Sequence, residues 1–330
     1  MPSTPLSIGV GVLAGLVSLS LVAAPAAQAD VYPIQRPGTY RIAGSDRYET
    51  SVMLSSATTA PRQHVVYLAG SEAYADGLAA GPAAARAKAP LLLVGKDRLP
   101  SVVRDELRRL QPTTVRIVGG ASSVSEGVAA EVGRVTGAAV ERIAGANRYE
   151  TAAKLAKGVD RSVERIYVVS GETFADALSA APAAGRDLSA LVLVQKDGLP
   201  AESREVLRSL ASPHVVVVGG SGTISQETVE KVREAAHGVT LTRISGADRY
   251  ETSAEVSNKL WGAGNDVVLY ASGSSYYDAL SGVPTAVLSR APILLTKATG
   301  HPDVIRKATY ELAPRTKVTI GGEAVAALEW

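Results

Sequence analysis

Three near-identical stretches carry most of the side chains able to do chemistry. Arg41-Ile-Ala-Gly-Ser-Asp-Arg-Tyr-Glu-Thr50 returns 101 residues later, from Arg142, as RIAGANRYET, and again from Arg243 as RISGADRYET. In each stretch Asp46, Asn147 or Asp248 stands three residues before Glu49, Glu150 or Glu251. That spacing suits a helix N-terminus, where the first side chain accepts from backbone N–H groups and the Glu reaches back to the cap. Read instead as acid/base carboxylates, the pairs would need a pocket and unequal pKa values, repeated in three places. Arg41, Arg142 and Arg243, with Arg47, Arg148 and Arg249, are better binding candidates, because a guanidinium offers a planar donor fork to phosphate or carboxylate. The competing reading pairs them with the neighbouring Glu or with carbonyls at a module interface. Tyr48, Tyr149 and Tyr250 either pack on a sheet or stack on a sugar.

Further landmarks keep step with these. Tyr74-Ala-Asp-Gly-Leu78 returns as Phe174-Ala-Asp-Ala-Leu178 and Tyr276-Tyr-Asp-Ala-Leu280. Asp76, Asp176 and Asp278 therefore follow a strand end, where open α/β sheets bind ligands; a turn or helix start is the plainer role. Tyr74, Phe174 and Tyr276 would border a sugar-binding groove or close the sheet's edge. Gly119-Gly120, Gly219-Gly220 and Gly321-Gly322 read as tight turns needing positive φ, since neither G-x-G-x-x-G nor G-x-x-x-x-G-K-[ST] is present. Lys96, Arg104 and Arg108 recur as Lys196, Arg204 and Arg208, then in part as Lys297, Arg306 and Lys307, forming either a polymer-facing stripe or a solvated helix face.

These residues have to be positioned by elements of domain size, because the period is too long for a solenoid repeat. Short β-branched runs alternate with segments of helical spacing, the pattern of a parallel α/β sheet buried on both faces. In the first copy strands are predicted at 64–69, 90–94 and 114–118, with helices after Asp46, Asp76, Leu99 and Ser122. Val140-Glu-Arg-Ile-Ala144 is predicted to run as a strand directly into the next unit. No flexible linker separates the copies, so they should abut.

Composition removes several function classes. The chain of 330 residues has 34 Lys and Arg against 32 Asp and Glu, which is no nucleic-acid footprint. Cysteine is absent, excluding disulfides, thiol nucleophiles and Cys-ligated zinc. The four His do not recur in register, so no metal or other cofactor is expected, and no G-x-S-x-G elbow is present. Before Asp30 there is no charged side chain, and an apolar run ends in Ala27-Gln28-Ala29. This predicts a cleaved signal peptide over residues 1–29, so that the membrane is met only before cleavage; a retained anchor is the rival.

In order and spacing the three sets of motifs resemble the cell-wall-binding repeat type 2 family over about residues 38–330. The resemblance implies three tandem Toprim-like α/β modules with mostly parallel sheets about a pseudo-threefold axis. It also implies an exported surface protein held non-covalently to an anionic wall polymer of teichoic or teichuronic type. The repeats are expected at 30–138, 139–239 and 240–330. No separate catalytic unit is expected, so the chain reads as a binder. The alternatives are a wall hydrolase of amidase or peptidase type and an adhesion protein that binds another protein.

Overall fold

The apolar runs become strands in the computed structural model, which describes Ile34, residues 36–72 and residues 74–327. The expected signal peptide lies outside the described residues. The first copy is β1 (Gly38–Ile42), α1 (Arg47–Thr58), β2 (Val65–Gly70), α2 (Tyr74–Gly77), α3 (Ala80–Arg86), β3 (Leu91–Val94), α4 (Ser101–Leu110), β4 (Thr114–Val118) and α5 (Glu126–Thr136). The second is β5 (Ala139–Ile143), α6 (Arg148–Ala156), β6 (Arg165–Ser170), α7 (Ala175–Arg186), β7 (Leu191–Val194), α8 (Ala201–Ser209), β8 (His214–Val218) and α9 (Gln226–Ala235). The third is β9 (Thr240–Ile244), α10 (Arg249–Leu260), β10 (Val267–Ser272), α11 (Tyr277–Leu288), β11 (Ile293–Thr296), α12 (Asp303–Leu312) and β12 (Thr316–Ile320).

Local chemistry accounts for the small departures from expectation. Pro90 lacks the N–H a ladder needs, so β3 starts one residue later, while the Pro90 carbonyl still accepts from Tyr67 N at 3.0 Å. The helix expected after Ser122 starts at Glu126, because Ser123 N and Val124 N first close a turn onto the Gly120 carbonyl and Ser125 then caps. Where the second and third copies have one helix, α7 or α11, the first has two short ones, with Gly77 in the place of Ala177 and Ala279. Glycine is the poorer helix former at that position.

Every strand pair is parallel, and the three sheets have the orders β3-β2-β4-β5, β7-β6-β8-β9 and β11-β10-β12-β1. The fourth strand of each sheet is thus the opening strand of the following copy. The strand Ala139–Ile143 does lead into the second unit, but its ladder runs back to β4, with Thr114 opposite Ala139. By the same rule β1 joins β12, with Gly38 opposite Thr316, so that the start of the chain closes the third sheet and completes a ring.

Alternation along the strands divides each core into two layers. In the first sheet Val66, Leu68, Leu92, Val94, Val115 and Ile117 face outward, onto α4 and α5. Tyr67, Ala69, Leu91, Leu93 and Val118 face inward, into a cluster that runs through all three units. The α3, α7 and α11 helices each pack on the other two in that cluster. Small residues allow this close approach: a methyl group on Gly185 would stand 2.7 Å from Val287, and one on Gly81 would stand 2.7 Å from Val283. The described residues form one compact unit. Among the described residues no helix is long and apolar enough to cross a membrane.

Candidate functional site

The opening motif folds as a locked turn. Asp46 Oδ1 accepts from Tyr48 N and Glu49 N, both at 2.9 Å, and Asp248 repeats this with Tyr250 N and Glu251 N. Asn147 Oδ1 accepts from Glu150 N at 2.9 Å. The Glu carboxylates reach one residue further back than a capping box requires, accepting from Ser45 N at 2.7 Å, Ala146 N at 2.7 Å and Ala247 N at 2.6 Å. The hydrogen bonds from Ser45 hold the Glu49 carboxyl below its usual range. Thr50, Thr151 and Thr252 accept through Oγ1 from the N–H of Gly44, Gly145 and Gly246. Those glycines lie directly against the Glu side chains, where any Cβ would collide. The acid residues of this motif are therefore occupied with the backbone.

The six repeated arginines divide into two sets. Arg142 Nη1 donates to the Gly119 carbonyl at 2.9 Å, and its Nη2 pairs with Glu126 at 2.9 Å. Arg243 Nη1 donates to the carbonyls of Gly219 at 3.0 Å and Ile224 at 2.9 Å, and Arg41 holds those of Gly321 and Ala326. This set ties each borrowed edge strand to the Gly-Gly turn it lies beside. Arg47, Arg148 and Arg249 instead start α1, α6 and α10, each of which packs across the preceding unit onto α11, α2 or α7. There Arg148 lies 5.9 Å from the Tyr74 ring, Arg249 lies 5.6 Å from the Phe174 ring, and Arg47 stacks 3.6 Å over Tyr277.

Tyr74, Phe174 and Tyr276 come together from three different units. Their ring centroids are 5.1, 5.8 and 6.1 Å apart, in tilted or edge-on arrangements. Two of them stitch units together, the Tyr74 hydroxyl donating to Glu172 O at 3.2 Å and the Tyr276 hydroxyl to Ser71 O at 2.6 Å. Phe174 has no hydroxyl for the third stitch. Arg148 and Arg249 donate to the carbonyls of Gly171 and Gly273 at 2.5 and 2.6 Å. The equivalent carbonyl for Arg47 is that of Ser71, which Tyr276 already uses. The result is one aromatic cluster at one end of the axial helices with three guanidinium groups around it.

Beneath the cluster lie the three aspartates, each in a topological switch point. The chain leaves β2 for β3 on one side and returns to β4 on the other, so the carboxyl ends of β2 and β4 flank a crevice. Asp76, following β2, meets Gly119, following β4; a methyl group on Gly119 would stand 3.0 Å from Asp76 Oδ2. Gly119, Gly219 and Gly321 also have φ of +104°, +129° and +96°, so position and conformation both require glycine. Asp76 Oδ2 accepts from Ser123 Oγ at 2.6 Å and Asp176 Oδ2 from Thr223 Oγ1 at 3.2 Å. The third copy has Val325 at that place, and no hydrogen bond reaches the Asp278 carboxylate from any described residue. Burial pushes the Asp278 carboxyl up to about 6, with Arg47 offsetting part of the effect. Burial also raises Asp176, against the pull of Thr223 and Arg249.

The basic stripe expected on the outer helices stands apart from this cluster. Arg104 is paired with Glu131 at 2.8 Å, Arg204 is exposed, and Arg306 donates to His301 O at 3.1 Å. Their helices cover the sheet faces turned away from the axial helices, and Lys96 and Lys196 are exposed in the loops before them. Two contributors escaped the sequence reading. Tyr277 replaces Ala75 and Ala175, and Val325 replaces Ser123 and Thr223; both changes show on aligning the copies, but their meaning needs Arg47 and Asp278 to be neighbours.

Known proteins resemble this chain in sequence and fold. The family described as Cell wall binding domain 2 (CWB2) matches residues 41–129, 142–230 and 243–328. The N-acetylmuramoyl-L-alanine amidase LytC of Bacillus subtilis (strain 168) is 32% identical over 256 residues, covering 78% of this chain and 50% of LytC. The amidase enhancer of the same organism is 30% identical over 275 residues, 83% of this chain and 37% of that protein. Among solved structures, Cwp6 from Clostridium difficile superposes with a TM-score of 0.82 at 29% identity, over 89% of this chain and 48% of that one. Cwp8 from Clostridium difficile gives 0.78 at 28% identity, over 87% and 49%. The chain thus spans half or less of the length of these relatives.

Proposed function

The chain belongs to the cell wall binding domain 2 family, and from that premise we propose that it is an exported binder that grips an anionic polymer of the bacterial cell wall without turning it over. The observation that carries this is the convergence of Arg47, Arg148 and Arg249 on one aromatic cluster. Guanidinium groups supply charge and donor forks for phosphate or carboxylate, and aromatic rings supply faces for sugars. Three copies on one body engage a repeating polymer at several points, so weak single contacts combine into firm retention. A teichoic or teichuronic polymer has the required repeating acid groups. The binding role without catalysis is supported by the capping of Glu49, Glu150 and Glu251 by backbone N–H groups.

The test is co-sedimentation of the protein with purified walls. Replacing Arg47, Arg148 and Arg249 together by Ala is expected to abolish retention while circular dichroism stays native, and added salt is expected to weaken wild-type retention. Undiminished retention of a folded triple variant would assign those arginines to structure alone. The names of the two Bacillus relatives favour one second reading, a role beside a wall amidase. Release of muropeptides from walls by the purified protein would overturn the non-catalytic assignment.

A further inference from the structure

The three switch-point crevices are built alike but finished differently. In the first and second units a hydroxyl, from Ser123 or Thr223, already donates to the aspartate. In the third, Asp278 is only 7% exposed, and Val325 stands where that hydroxyl would be. Its carboxylate is packed on the Gly321 turn between the carboxyl ends of β10 and β12, which is the crevice itself. With no donor from the described residues and its oxygens not fully closed off, this carboxylate is an acceptor left open to the crevice. The guanidinium nearest to it is also the one left unbound by the loop carbonyl: Arg47 lies on Tyr277, 3.6 Å from the ring centre, a stacking partner that the other two copies lack.

We propose that this third crevice, at the seam where the last unit meets the first, is the subsite that recognises one polyhydroxylated anionic unit. Arg47 takes the acid group and Asp278 accepts from a hydroxyl of the same unit. The chemical class is a glycerol phosphate or an acidic sugar, which share an acid group beside hydroxyls. The first two crevices have their acceptor filled from within and contribute arginine charge alone. This assignment rests on the polymer-binding reading above and names the place where that reading acquires chemical selectivity.

Isosteric exchanges test it. The full chain is titrated at pH 7.5 with sn-glycerol 3-phosphate and, separately, D-glucuronate, following backbone amide shifts by NMR. Wild type is expected to bind at least one probe, with shifts centred on the starts of α1 and α11. Val325→Thr, which supplies the missing hydroxyl, is expected to weaken that binding about tenfold or more, the worth of one hydrogen bond to a charged group. Thr223→Val, which removes the hydroxyl from Asp176, is expected to add a second set of shifts at the start of α7. Binding of one probe alone identifies the polymer's acid as phosphate or carboxylate. The proposal is overturned if neither probe binds, if Val325→Thr binds as wild type does, or if all three crevices respond equally. Sedimentation of wild type with walls separates the two readings: retention with no probe effect sinks only the subsite, whereas no retention sinks the polymer reading.

Discussion

Replacing Asp278 with Asn should make the protein more stable at neutral pH. Asp278 is 7% exposed, and its carboxyl is raised from 3.8 to about 6. The folded state therefore holds its proton more tightly than the unfolded state does. Its favourable contribution is fully present below about pH 4 and is lost as pH rises through about 6, after which the deficit stays constant. Moving the carboxyl from 3.8 to about 6 corresponds to about 3 kcal/mol. Asn has the shape of the protonated acid and never ionises. Asp278→Asn is expected to match wild type near pH 4 and to exceed it by up to about 3 kcal/mol at pH 8. Urea unfolding at pH 4, 6 and 8, followed by circular dichroism, measures the difference; all other titrating groups cancel between the two proteins. A variant no more stable than wild type at pH 8, or a gap that persists unchanged into acid, would refute the reasoning. The same variant should lose the probe binding proposed for the third crevice, a trade of function for stability.

Two further outcomes follow from the architecture. Gly185→Val puts a branched side chain where a methyl group would already be 2.7 Å from Val287, and should lower stability by about 1–3 kcal/mol, read as a fall in melting temperature. Removing β1 (Gly38–Ile42) leaves the edge of β12 unpaired and should produce aggregation or concentration-dependent association in light scattering, whereas removing residues 1–29 should not.

Much of this protein is written in short stretches of sequence. Asp46 before Arg-Tyr-Glu declares a helix start, and Gly119-Gly120 after Val118 declares a turn, because the groups they satisfy lie within a few residues along the chain. The threefold repetition and the parallel α/β character are equally local readings, as is Ala139–Ile143 being a strand. What that strand pairs with is not local. Its pattern fits either neighbouring sheet, and its hydrogen bonds go to β4 because the next unit's α6 must cross the first unit's crevice. Likewise Arg41 and Arg47 lie in one motif and look equally suited to an anion, yet the first is held by the carbonyls of Gly321 and Ala326 and the second stacks on Tyr277. Those partners are more than two hundred residues away. Only ring closure brings them near, and it places Arg47 beside Asp278, which is as buried as Asp176 but lacks the hydroxyl donor that Asp76 and Asp176 each receive. The sequence by itself determined the units; contact between distant units, which no local pattern encodes, decided which of their charges face a ligand.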